Sequence, residues 1–182
     1  MHLFLNEKYL GVTAVAILAV GLVFLIRKWP KDIHHTFSQH AATSNIASIY
    51  YAALFTVVLP LLAVFFFSWF VPTSSVPPTF SILIALSLVC QFACTLVPEV
   101  GKYVKLHQTL AGTSGTLLLP SLIVYMFAPV LDMADRALII IFACIMATIL
   151  LLVANKRIRY ALILQTMYFI AFFAPILTIS YI

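Results

Sequence analysis

Apolar side chains come in long blocks with few polar interruptions, and short polar stretches separate one block from the next. The blocks do not alternate like half-buried strands, so their length points to helices. A helix needs about 20 mostly apolar residues to cross a bilayer. Six blocks come close to or exceed that length, at residues 9–26, 44–70, 80–97, 106–128, 134–153 and 160–180. They consume nearly the whole chain. The pattern therefore predicts an all-α, polytopic membrane protein, one domain over residues 1–182 built as a six-transmembrane-helix bundle. Arg27, Lys28, Trp29 and Pro30 end the first helix, and Pro60 is expected to kink the second. Residues 71–79 (VPTSSVPPT) carry three prolines and no charge, which reads as a stiff non-helical turn. Pro98 stops the third helix, and Asp132 with Asp135 has the spacing of a helix N-terminal cap.

Polar residues inside the blocks fall at helical spacing. With the second helix read as starting near His40, His40, Ser44 and Ser48 recur every four residues and share a face. Gln91, Thr95 and Glu99 do the same on the third helix, while His107, Ala111, Ser114 and Gly115 line one face of the fourth. Gln165 lies at similar depth on the sixth; Asn45 and Gln108 read as facing elsewhere. The densest stretch is residues 96–115, LVPEVGKYVKLHQTLAGTSG, where Glu99 and His107 bracket a tight turn. A polar side chain in hydrocarbon is costly unless it is paired or faces a wet cavity. These positions predict a polar cavity near one membrane surface, with Glu99, His107, His40, Ser44, Ser48, Gln91, Thr95, Ser114 and Gln165 as ligand-binding candidates. The plainer reading of the same residues is interhelical hydrogen bonding, with Glu99 and His107 as an ion pair that fixes the turn.

Composition supports the membrane assignment. Hydrophobic residues make up 64% of the chain and charged residues 8%, against about 25% charged in soluble domains; mean hydropathy is +1.15. The net charge of +5 falls in short clusters between blocks, as membrane topology requires, so nucleic acid is not an expected partner. Arg27, Lys28, Lys31, Lys102, Lys105, Lys156, Arg157 and Arg159 all occupy the first, third and fifth loops, leaving Lys8 and Arg136 for the other side. Basic loops stay cytoplasmic. A multi-pass protein of the cell's inner membrane with both termini outside is expected. The basic residues follow the first apolar block, so that block reads as a true span and not a cleaved signal peptide. Cys90, Cys94 and Cys144 lie within apolar blocks and read as packing residues.

Three classes of function fit these residues. One is a binding module for a lipid or other amphiphile, with Lys102, Lys105 and Arg27 attracting phosphate. Another is an intramembrane metal-dependent hydrolase, with His40, His107 and Glu99 as zinc ligands around an activated water; no HExxH-type motif is present. The last is an accessory subunit of a membrane complex, with a protein partner or a second copy of the chain alongside the lipids. The Ser-containing start of the second helix and the Pro98-Glu99…His107-x-x-x-Ala111-Gly112 junction also resemble an uncharacterised six-span prokaryotic membrane family. That family, a domain of unknown function of the DUF998 type, is similar to the eukaryotic DRAM/Sfk1-type proteins. It usually has glycines early in the second helix, where this chain reads AATSNIAS. The resemblance implies a six-helix fold and, from the eukaryotic proteins, lipid-linked roles.

Overall fold

The computed structural model describes residues 2–155 and 159–181. These form helices and turns, in the order α1 (His2–Lys28), α2 (Phe37–Ala41), α3 (Asn45–Ser74), α4 (Pro78–Leu96), α5 (Val104–Tyr125), α6 (Met133–Ala154) and α7 (Ala161–Tyr181). Five of them (α1, α3, α4, α6 and α7) are long and apolar enough to cross a membrane, so the chain is a helical, multi-pass membrane protein. Helix α5 is as long, at 22 residues. Its first half holds His107, Gln108, Thr109, Thr113 and Ser114, with Thr116 just beyond, which makes it the polar member of the bundle.

The second helix departs from expectation at both ends. It does not run unbroken from His40, because His40 belongs to a separate short helix and a new cap at Ser44 starts the next one. Thr36 and Gln39 form a capping box that starts α2. Ser44 then takes an extended conformation (φ −157°, ψ 159°), and its hydroxyl accepts the Ala47 N–H to start α3. The proposed His40–Ser44–Ser48 stripe is therefore split between two helices. At the far end the helix continues past Phe70 to Ser74, through residues read as a non-helical turn. Pro72 has no N–H and would crowd a regular helix. A π-helical stretch at Phe65–Phe70 widens the turn just before it, and the Val71 N–H bonds to Phe66 O. The reversal is confined to residues 75–77, with Ser75 left-handed at φ 47°, and Pro78 opens α4 as a first-turn proline.

Helices adjacent in sequence pack against each other, and α4 with α5 forms the most extensive hairpin. Its seam is held by a reciprocal clasp. Ser87 Oγ donates to Ser114 O at 2.9 Å and Ser114 Oγ donates to Ser87 O at 3.0 Å. Two turns along the same seam, Cys94 Sγ rests against the His107 ring. Helix α1 approaches α3 through glycines, since a Cβ at Gly11 would lie 2.7 Å from the Phe65 ring and one at Gly21 2.5 Å from Leu54. Such close approach is how helices gain contact where lipid supplies no hydrophobic drive.

The first, third and fifth loops meet at one end of the bundle. Phe37 N–H donates to Gln165 Oε1 at 3.1 Å, Leu162 N–H to Ile33 O at 3.2 Å, and Ser38 Oγ to Glu99 Oε2 at 2.6 Å. Arg27, Lys28, Lys31, Lys102, Lys105 and Arg159 belong to these loops or the helix ends beside them; Lys156 and Arg157 lie outside the described residues. At the other end Asp132 and Asp135 form the predicted capping box, and Lys8 sits over the rings of Trp69 and Tyr181. The core there is aromatic: Phe65, Phe66, Phe70, Phe80, Tyr125 and Phe172 are all buried in mutual contact.

Candidate functional site

The turn between α4 and α5 builds the site. Pro98 cannot continue α4, and the chain runs extended at Val97 and Val100. Gly101, at φ +54°, supplies the left-handed residue that swings the backbone into a short 3-10 turn and then α5. This path folds Glu99 back over His107, and their side chains are only 6% and 4% exposed. A carboxylate this buried needs partners, and Glu99 has neutral ones. Ser38 Oγ donates to Oε2 at 2.6 Å, while Gln39 Nε2 and Gln108 Nε2 donate to Oε1 at 3.3 and 3.2 Å. Among the described residues, no lysine or arginine pairs with it. His107 Nδ1 donates to Val97 O at 2.6 Å, which leaves Nε2 facing Glu99 Oε2 at 3.8 Å. The two form an ion pair whenever the ring carries its second proton.

Two cavities flank this cluster. The larger, about 310 Å³, lies between α5, α6 and α7. Thr36, Ser38, Gln91, His107, Ser114, Thr116 and Gln165 bring polar side chains to its wall, and Leu118, Ile149, Leu150, Val153, Leu164 and Phe169 bring apolar ones. The smaller, about 270 Å³, lies between α2, α3 and the end of α4 and includes Glu99. Ser38, Tyr51 and His107 border both, so they form a shared wall.

Most of the sequence-derived candidates gather around these spaces. Gln91, Ser114, Gln165 and His107 line the larger cavity, and Ser48, Thr95, Glu99 and His107 line the smaller. Several hydroxyls are already committed: Ser114 to the clasp, Ser48 to Ala41 O and Thr95 to Phe92 O. They shape the walls more than they offer free donors. His40 and Ser44 belong to neither cavity. Ser44 is an exposed cap, whereas His40 is buried with Nδ1 3.1 Å from both Lys31 N and Trp29 O. The break between α2 and α3 gives His40 these backbone partners, so His40, His107 and Glu99 are not gathered as a zinc trio. Among the described residues, no three His, Cys, Asp or Glu side chains group as a metal site. Arg27, Lys102 and Lys105 line neither cavity.

Gln108 corrects another expectation, since it points at Glu99 and not away from it. Ser38, Gln39, Tyr51 and Cys94 were not among the site candidates. The Thr36-x-x-Gln39 spacing was the available signal for the first two, because a capping box there starts a separate short helix that carries Ser38, Gln39 and His40. In the first loop, a hydrogen bond from His35 at 2.7 Å holds the Asp32 carboxyl below its usual range. Comparison with known proteins returned no family model, no curated protein and no solved structure that matches the chain.

Proposed function

We propose that the chain crosses the membrane six times, with α5 as the polar sixth crossing, and holds a lipid or other amphiphile in the larger cavity. The clustered basic loops support an orientation with that cavity on the cytoplasmic side and both termini outside. The observation that carries the reading is the mixed lining of this one space. Hydrogen-bonding side chains from α2 and its cap, α4, α5 and α7 share its wall with leucine, isoleucine, valine and phenylalanine. Such a space suits a molecule with a hydrophilic head and a hydrocarbon tail, and its volume is at the small end of ligand pockets. Helix α5 is tolerable in a bilayer because its polar side chains have partners: Ser114 clasps Ser87, and the threonines at 109 and 116 donate to carbonyls of their own helix.

The test is lipid retention. Protein purified in mild detergent is analysed by native mass spectrometry, and a stoichiometric amphiphile is expected on the wild type. Leu150→Trp fills part of the cavity from α6 and is expected to lower occupancy by roughly tenfold or more, equivalent to about 1.4 kcal/mol. Wild type and Leu150→Trp carrying the same lipid load would overturn the proposal.

A further inference from the structure

We infer that the smaller cavity is a separate binding site for an organic ammonium cation bearing an apolar group, with Glu99 as its counter-charge. Four observations converge on it. Glu99 is buried, lines the space and is held by neutral donors, so its negative charge is not cancelled by any lysine or arginine among the described residues. The space also lies at the C-terminal end of α4, bordered by Thr95, Leu96 and Val97. Some of the carbonyls there are taken, Phe92 O by Thr95 Oγ1, Cys94 O by the Val97 N–H and Val97 O by His107 Nδ1, but the negative end of the helix dipole still favours a cation. Tyr51, buried at 6% exposure, contributes an aromatic ring to the wall, and ring faces attract ammonium groups. Finally, the lip is apolar. Ile49 and Leu96 flank the opening at 69% and 62% exposure, a surface on which hydrocarbon attached to the cation can rest.

The alternative head chemistry, a phosphate or other anion, meets the wrong charge here. It would sit against a carboxylate and a helix C-terminus, with none of Arg27, Lys102 or Lys105 in the lining. His107 faces Glu99 across the shared wall, with Nε2 3.8 Å from Oε2, and Tyr51 and Cys94 also lie near the carboxylate.

The test uses the full-length protein in an uncharged maltoside detergent, titrated with benzyltrimethylammonium and followed by its melting temperature. Benzenesulfonate is the matched anion. The expected result is saturable stabilisation by the cation and none by the anion. In Glu99→Gln the apparent affinity for the cation is expected to fall by roughly tenfold or more. Ala52→Phe narrows the same cavity from α3 while leaving the carboxylate in place; it is expected to weaken binding similarly, and it decides the matter if Glu99→Gln does not fold. A wild type with no saturable response overturns the inference, as does equal response to the sulfonate. So does a folded variant that titrates like wild type. Lipid retention in the larger cavity is read by a different variant and a different signal, so either proposal can fail alone.

Discussion

The two ends of the bundle are built from the same helices and differ in what fills them. At one end Phe65, Phe66, Phe70, Phe80, Tyr125 and Phe172 close the centre with rings. At the other, Ala41, Ala42, Ala52, Ala111, Gly112 and Gly115 border open space, and hydrogen bonds among Ser38, Gln39, Glu99 and Gln108 hold the loops over it. In lipid, helices gain little from hiding apolar surface from one another, so contact between side chains carries the association. The filled end is then where the fold is held, and the hollow end is free to be used. The hollow end keeps its shape through polar contacts instead, which are strong when buried and costly to break singly.

The most forceful way to break this contrast is to empty the filled end. Phe70 is 0% exposed and touches four other rings. Phe70→Ala is expected to cost about 3–5 kcal/mol, the range for deleting a buried aromatic side chain. Unfolding in mixed micelles measures it. Folded Phe70→Ala protein should still retain amphiphile, because the residue lines neither cavity. A loss below about 1 kcal/mol would mean the aromatic end is not the anchor.

Glycines sharpen the same contrast because identical substitutions should differ in sign. A methyl group at Gly11 would press on the Phe65 ring at 2.7 Å, and a ring in a packed cluster cannot swing away as a chain end can. Gly11→Ala is expected to destabilise by about 1–3 kcal/mol through overpacking. At Gly115 nothing lies within 4 Å of the added carbon, which projects toward open space. Gly115→Ala is expected to stabilise by up to about 1 kcal/mol from helix propensity alone. Thermal unfolding of both variants, side by side, reads the two signs. If both destabilise equally, the hollow end is as tightly packed as the other.

Much of this contrast was legible in the residue pattern, and the failures have physical causes. Block length and hydrophobicity located the long helices, because hydrocarbon admits few alternatives. Gln91 with Thr95, and His107 with Ser114, pointed to the cavity side because each pair lies on one uninterrupted helix; Glu99 lies past Leu96, where α4 ends, and it reaches the site through the turn and not along the helix face. The stripe through His40 failed because helical spacing says nothing about a cap that interrupts the helix, and Ser44 supplies one between His40 and Ser48. Gln108 was misplaced for a related reason. Its side chain is long enough to reach round α5 to a carboxylate that the loop folds back toward it, and no periodicity encodes that loop path. The turn after α3 was read from its prolines, but a π-helical stretch lets Pro72 stay within the helix. Which cavity carries charge could not be read at all, because it depends on which loops lie beside which helix ends.

The smallest expected effect lies at the boundary between the two ends. Ser87 and Ser114 exchange hydrogen bonds across α4 and α5, and their hydroxyl oxygens are 3.3 Å apart. Interhelical hydrogen bonds in membranes are worth about 0.6 kcal/mol on average and up to about 1.7, so Ser87→Ala and Ser114→Ala should each cost an amount in that range. The pair should not be additive. Each hydroxyl lies where it polarises the other, and residues in one network couple. A double-mutant cycle followed by unfolding in mixed micelles is expected to show a coupling of about 0.5 kcal/mol or more. Ser114 also lines the larger cavity. The variant that loosens the clasp should therefore alter lipid retention more than its stability cost would suggest, whereas Ser87→Ala, on the far side of the seam, should not. Equal effects of the two on retention would place the boundary elsewhere and make the clasp a purely structural tie.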